Sequence, residues 1–236
     1  MALSFGAGSV PFSQLVARLT RDVDLRHVGT GTVSGTALYH VAGFGPLALA
    51  GVCDIAKGSI GPVLAGRDRP VVAALAGAAA VSGHNWSPWL RGAGGRGISP
   101  TMGALLSRYP EGAALVLGGL AVGRLVRHTG LGSGLAAAAV VPFLARRRGW
   151  TAALAAGALV VPMFAKRALG NRPPARPTAG VYLRRLLLDN DGKRPADEPC
   201  HRERRTSGSV ARPAAAARLP LGRPRSTPDE SGGPRP

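Results

Sequence analysis

The chain of 236 residues is 45% hydrophobic and only 18% charged, with a mean hydropathy of +0.11 despite a strongly polar C-terminal part. A soluble fold of this length buries a good core, but its helices carry polar faces that these apolar runs lack, so an ordinary soluble domain is not expected. A formal net charge of +18, from 30 Lys+Arg against 12 Asp+Glu, ordinarily points to nucleic acid; here the excess lies between apolar runs and in the tail, where anionic lipid headgroups are the natural partner.

In chain order, Met1–Leu19 is a short span interrupted by Pro11 and Arg18, against the roughly 20 residues that a membrane crossing needs. A polar loop follows from Thr20 to Thr36 and contains the small-residue run from Gly29 to Thr36, with Arg26, His27 and His40 flanking it. Val41–Leu64 is apolar but carries Asp54 and Lys57, which are costly at bilayer depth and point to an interface or a wet cavity. Val71–Val81 is a short apolar run that feeds into Gly83-His84-Asn85-Trp86 and the basic glycine loop Gly92-Ala93-Gly94-Gly95-Arg96-Gly97.

Beyond Pro100, Met102–Leu106 and Ala113–Val126 form one long or broken helix around Tyr109-Pro110. Leu131–Ala145 and Trp150–Ala165 are two further spans, separated by Arg146-Arg147-Arg148-Gly149. Small residues recur throughout, and in lipid they let helices approach closely. The expected architecture is therefore all-α: a polytopic membrane bundle of five to seven helices, several of them short, over residues 1–170. Val181–Leu188 reads as an amphipathic stretch at the membrane surface within a segment 171–191, and 192–236 as a disordered Pro/Arg-rich tail.

Arg146–Arg148 and Lys166-Arg167 flank one span, so both cannot obey the preference for basic residues on the cytoplasmic side if that span crosses fully. The second cluster is assigned inside because it continues into the basic tail. Cys53 lies in an apolar run and Cys200 in the tail, so no disulfide framework is expected. No aromatic-interleaved basic patch points to nucleic acid, no Cys/His/carboxylate set has metal-ligand spacing, and no cofactor is implied.

The chemistry concentrates in the loops. Successive backbone N–H groups of Gly94, Gly95 and Gly97 can cradle a phosphate, with Arg96 as countercharge and a helix N-terminus following. The nucleotide P-loop pattern is not met, because no Lys-Ser or Lys-Thr follows. Taken alone, such a loop reads equally as a flexible turn. His84 can exchange a proton near neutral pH or hold a phosphate oxygen, and equally reads as a structural interface histidine beside Trp86 and Trp89. Thr30 and Thr32 offer hydroxyls, and Arg127–Ser133 is a third polar turn that also fits helix capping.

Taken together, the order of these loops resembles the bacterial acyl-phosphate:glycerol-3-phosphate acyltransferases, a family of integral membrane enzymes. Gly8-Ser9-Val10-Pro11-Phe12-Ser13 is similar to the family's G-S-I-P-F-G, and Asp24 to His40 aligns without a gap on D-I-R-x-x-G-S-G-N-x-G-A-T-N-x-x-R. Asp54-Ile55-Ala56-Lys57-Gly58 fits D-x-x-K-G; Gly83–Gly103 matches G-H-x-F-P-x-F-L-x-F-K-G-G-K-G-V-A-T-x-x-G; Arg127–Ser133 resembles R-Y-x-S-L-A-S. Thr30, Thr32, Ala37 and His40 replace the family's serine, two asparagines and arginine, while Ala93 and Arg96 replace two lysines. Ala179–Asp191 lacks the histidine and asparagine of the family's C-terminal motif.

The resemblance implies transfer of a fatty acyl group from acyl phosphate to the sn-1 hydroxyl of glycerol 3-phosphate, giving lysophosphatidic acid in phospholipid synthesis at the cytoplasmic face of the cell membrane. It implies His84, Arg96 and Thr30 as catalytic residues, and Gly94, Gly95, Gly97, Thr32, His40, Ser133 and Lys57 as substrate contacts. The motif departures keep a second reading open, a catalytically impaired membrane paralogue that binds lipid or a partner protein.

Overall fold

The computed structural model describes residues 1–29, 31–174 and 177–188. The described residues are all-helical: α1 (Ala2–Ser9), α2 (Phe12–Arg21), α3 (Gly35–Ala42), α4 (Phe44–Ala65), α5 (Pro70–Asn85), α6 (Ile98–Leu106), α7 (Pro110–Leu125), α8 (Thr129–Arg148), α9 (Trp150–Leu169) and α10 (Ala179–Leu188). Of these, α4, α8 and α9 are long and apolar enough to cross a membrane. The helical bundle is as expected, and the short elements raise the number of segments above five to seven.

The extra segments have local causes. Pro11 has no N–H and disfavours helix in the residue before it, so the N-terminal stretch breaks at Val10, which is extended (φ −61, ψ 119). Gly43, at φ 85, separates α3 from α4 in a conformation that a side chain rarely adopts. Tyr109-Pro110 does end one helix and start the next, and Pro110 occupies the first position of α7, where its missing N–H costs nothing. Arg146–Arg148 are not a loop but the last turn of α8, and Gly149 alone joins α8 to α9. α5 runs four residues beyond Val81, so His84 and Asn85 lie on its last turn.

Small residues set the helix crossings. A Cβ on Gly8 would lie 2.2 Å from Ala80 O, fixing α1 against α5, and one on Gly103 would lie 1.8 Å from Ile55 O, fixing α6 against α4. The main core, with Val81, Leu105, Val116, Val140, Leu144 and Leu159, joins α5 to α9. A second cluster of Val16, Ala17, Leu25, Leu38 and Leu90 sits under the loop after α2. α10 covers part of the segment where a surface helix was expected; residues 189–191 and the tail 192–236 lie outside the described residues.

The loop after α2 is tied by Asp24. Its carboxylate accepts from Arg26 Nη2 at 2.6 Å, from the Arg26 backbone N–H at 3.0 Å and from Arg18 Nη2 at 3.0 Å. The Arg26 hydrogen bond holds the Asp24 carboxyl well below the ordinary 3.8. A carboxylate depressed in the folded state stabilises fully above its unfolded value and loses that contribution as pH falls toward its folded value. Asp24→Asn is therefore expected to lower the thermal unfolding midpoint at pH 7 and to flatten its decline from pH 5 downward, measured in detergent by circular dichroism.

Candidate active site

The site is built around the end of α5. Gly94 and Gly95 are buried and run beneath it: Gly95 N–H donates to His84 O at 3.2 Å. A Cβ on Gly94 would lie 2.2 Å from His84 O and 2.4 Å from Asn85 O, and one on Gly95 would lie 2.1 Å from His84 Nε2. Both positions need glycine for space. Gly92 and Gly97 need it for conformation, at φ 80 and 77, and Gly97 caps the start of α6.

The His84 side chain is 10% exposed and lies between two groups of different character. Nε2 faces Gly95, while Nδ1 is 3.7 Å from the Asp54 carboxylate on α4. Asp54 is in turn paired with Lys57 Nζ at 2.7 Å, both nearly fully buried, and Lys57 Nζ also donates to Val10 O at 2.6 Å. A carboxylate at Nδ1 favours the tautomer or charge state that leaves Nε2 toward the loop for proton exchange. Lys57 thus faces Asp54 and the break between α1 and α2.

A second group of cations enters from α9. Lys166 Nζ donates to Gly92 O at 3.0 Å and lies 5.4 Å from the centre of the Trp86 ring. Arg96 Nη1 donates to Arg167 O at 3.3 Å, and Arg167 and Ser133 Oγ both donate to Gly130 O, the latter at 3.1 Å. Arg96, Arg167, Ile98 and Met163 line a small cavity of about 10 Å³ between α6, α8 and α9, enough for one water-sized group. Lys166 and Arg167, the cluster assigned to the cytoplasmic side, are 2% and 6% exposed. Arg146–Arg148, at the far end of the Gly149 turn, are the exposed cluster.

The loop after α2 closes the arrangement. Val33 N–H donates to Gly94 O at 3.2 Å, which places buried Thr32 next to the strand of chain carrying the glycines. The structure therefore brings together His84, Gly94, Gly95, Gly97, Arg96 and Thr32, with Ser133 joined to Arg96 through Arg167 and Gly130. Lys57 is linked to His84 through Asp54. His40 stands apart, exposed on α3 with its ring edge against Tyr39, itself under the Arg124 guanidinium at 4.5 Å. Thr30 lies outside the described residues.

Sequence reasoning gave no role to Asp54, Lys166, Arg167 or Asn171. Asp54 could have been found from the i, i+3 spacing to Lys57 within an apolar run. Lys166 and Arg167 sit at a helix end where a cation is ordinarily solvated, Asn171 follows that helix after Gly170, and nothing in their spacing marks them. Trp89 is exposed, with Nε1 donating to Ser9 Oγ at 3.0 Å, whereas Trp86 faces Lys166.

The sequence profile of the glycerol-3-phosphate acyltransferase family matches residues 1–168. The glycerol-3-phosphate acyltransferase of Myxococcus xanthus is 39% identical over 143 residues, 59% of this chain and 74% of that protein. That of Halalkalibacterium halodurans is 38% identical over 136 residues, 55% of this chain and 66% of that protein, so the matched stretch spans just under two thirds of its length. The glycerol 3-phosphate form of PlsY (YgiH), an integral membrane glycerol 3-phosphate acyltransferase, superimposes with a TM-score of 0.64 at 26% identity, over 70% of this chain and 85% of that one. Its lysophosphatidic acid form gives 0.58 at 25% identity, over 68% and 83%. With the profile covering well over half of its length, the chain belongs to the glycerol-3-phosphate acyltransferase family.

Proposed function

We propose that this membrane protein transfers a fatty acyl group from acyl phosphate to the sn-1 hydroxyl of glycerol 3-phosphate, giving lysophosphatidic acid for phospholipid synthesis, with the site open to the cytoplasm. The observation that carries the reading is the meeting of the two small-residue loops at His84, with Gly95 against Nε2 and Val33 bonded to Gly94.

In the reaction the glycerol hydroxyl oxygen attacks the acyl carbonyl, the carbonyl-to-phosphate C–O bond breaks, and phosphate leaves. His84 Nε2 takes the hydroxyl proton or hands one to the leaving phosphate. The Arg96 guanidinium holds phosphate oxygens, aided by the ammonium of Lys166 nearby, whereas the Gly94 and Gly95 N–H groups, expected to cradle phosphate, are taken by Asn171 Oδ1 and His84 O and shape the loop instead. Thr30, Thr32 and Ser133 orient glycerol 3-phosphate, and Lys57 acts by fixing Asp54. The donor carries a good leaving group, so positioning and charge neutralisation supply most of the acceleration, and no covalent acyl-enzyme is required.

Purified protein in detergent, given acyl phosphate and radiolabelled glycerol 3-phosphate, is expected to form lysophosphatidic acid. His84→Ala and Arg96→Ala are each expected to lower the rate by about 100-fold or more. Absence of product from the wild type, with lipid binding retained, would establish the impaired paralogue instead.

A further inference from the structure

α9 ends at Gly170, whose φ of 67 turns the chain back across the site. The next residue, Asn171, uses its whole carboxamide on the backbone of the two loops. Nδ2 donates to Gly31 O and to Gly94 O, each at 2.9 Å, and Oδ1 accepts from Gly94 N–H at 3.4 Å. A primary amide has two N–H donors and one carbonyl, so Asn171 is suited to bridging two backbones at a fixed separation. Arg172 Nη2 adds a bond to Arg26 O at 3.0 Å, on the same side as Gly31.

This short segment is itself anchored. Arg185 of α10 is 1% exposed and donates through Nη1 to Leu169 O at 2.7 Å and through Nη2 to Arg172 O at 2.9 Å. The asparagine is thus held from behind by a buried guanidinium and reaches forward to both loops.

We propose that Asn171 is a positioning residue that sets the spacing between the loop at Gly31–Val33 and the glycine loop at Gly92–Gly97, and so the relative placement of acceptor and donor. The inference rests on the acyl-transfer reading for its consequence, but not for its geometry. Each loop keeps its own ligand groups when the bridge is lost, so the individual substrates still bind; what is lost is their mutual alignment. A misplacement of about 1 Å costs on the order of 100-fold in rate.

The test compares full-length wild type with Asn171→Ala and Asn171→Asp in detergent. The aspartate keeps the volume of the side chain and the acceptor for Gly94 N–H but turns a carboxylate oxygen toward the Gly31 and Gly94 carbonyl oxygens, so thermal unfolding of both variants is measured alongside to separate lost alignment from lost fold. Both variants are expected to lower kcat by about 10-fold to 100-fold, with the KM of each substrate changed by less than about threefold. Amide hydrogen exchange is expected to quicken in peptides covering both loops together. Unchanged kcat, or exchange that rises in one loop alone or in neither, overturns the proposal. If the wild type transfers no acyl group, the exchange readout still decides: quickening of both loops upholds the bridge, and no change rejects it.

Discussion

Gly94→Ala is expected to abolish acyl transfer and to lower the unfolding temperature, whereas Gly95→Ala loses activity with little loss of fold and Gly92→Ala is the mildest of the three. The ordering follows from what each added methyl meets. At Gly94 it meets the His84 and Asn85 carbonyl oxygens at 2.2 and 2.4 Å, both backbone of the last turn of α5. Neither can yield without unwinding that turn, and inserting a methylene into a closed site costs about 1–3 kcal/mol even where side chains do give way. At Gly95 the methyl meets His84 Nε2 at 2.1 Å, the far end of a side chain that can rotate away. Rotation spares the fold and removes the imidazole from the loop, so a loss of about 100-fold in rate is expected. At Gly92 nothing lies within 4 Å, and the cost is the left-handed conformation at φ 80, about 1–2 kcal/mol. Initial rates of lysophosphatidic acid formation and thermal unfolding in detergent separate the three. A Gly94→Ala protein with wild-type rate and midpoint would show that the glycine loop does not lie against α5 as described.

The parts of this architecture that are legible in sequence are those carried by local rules. Apolar runs mark the long helices, the Gly-rich stretches mark the loops, and Tyr109-Pro110 marks a helix boundary because proline constrains its predecessor. The ordered loops also identify the family. What is not legible is long-range partnership. Lys166 and Arg167 read as the solvated end of a span, and only the fold reveals that the chain turns back at Gly170 and buries them beside Arg96. Asn171 stands at the head of a Pro/Arg-rich stretch and has no periodic neighbours to flag it, yet it contacts residues 77 and 140 positions away. His40 runs in the other direction: it sits near the first loop in sequence, but the α3 helix carries it to an exposed face. Adjacency along the chain stops predicting adjacency in space once a helix intervenes.

The largest stability effect is expected at Asp54. Its carboxylate and the Lys57 ammonium are 5% and 3% exposed and 2.7 Å apart within α4, a pairing that exists only because each ion neutralises the other away from water. Asp54→Leu leaves the ammonium buried with Val10 O and the Phe12 ring face, 5.6 Å away, and no carboxylate beside it. Breaking such a pair by removing one partner costs about 3–5 kcal/mol, chiefly through the uncompensated charge. The double variant Asp54→Leu/Lys57→Met removes that charge as well, and is expected to recover most of the unfolding midpoint, since an apolar pair of similar volume is often neutral or better. It is not expected to recover activity. His84 Nδ1 loses the carboxylate 3.7 Å away whether or not Lys57 remains, so Nε2 is no longer held toward Gly95 in a defined state. Midpoints from thermal unfolding and rates from the acyl-transfer assay therefore part company in the double variant. If the rate returns together with the midpoint, Asp54 serves the fold alone and His84 acts without it.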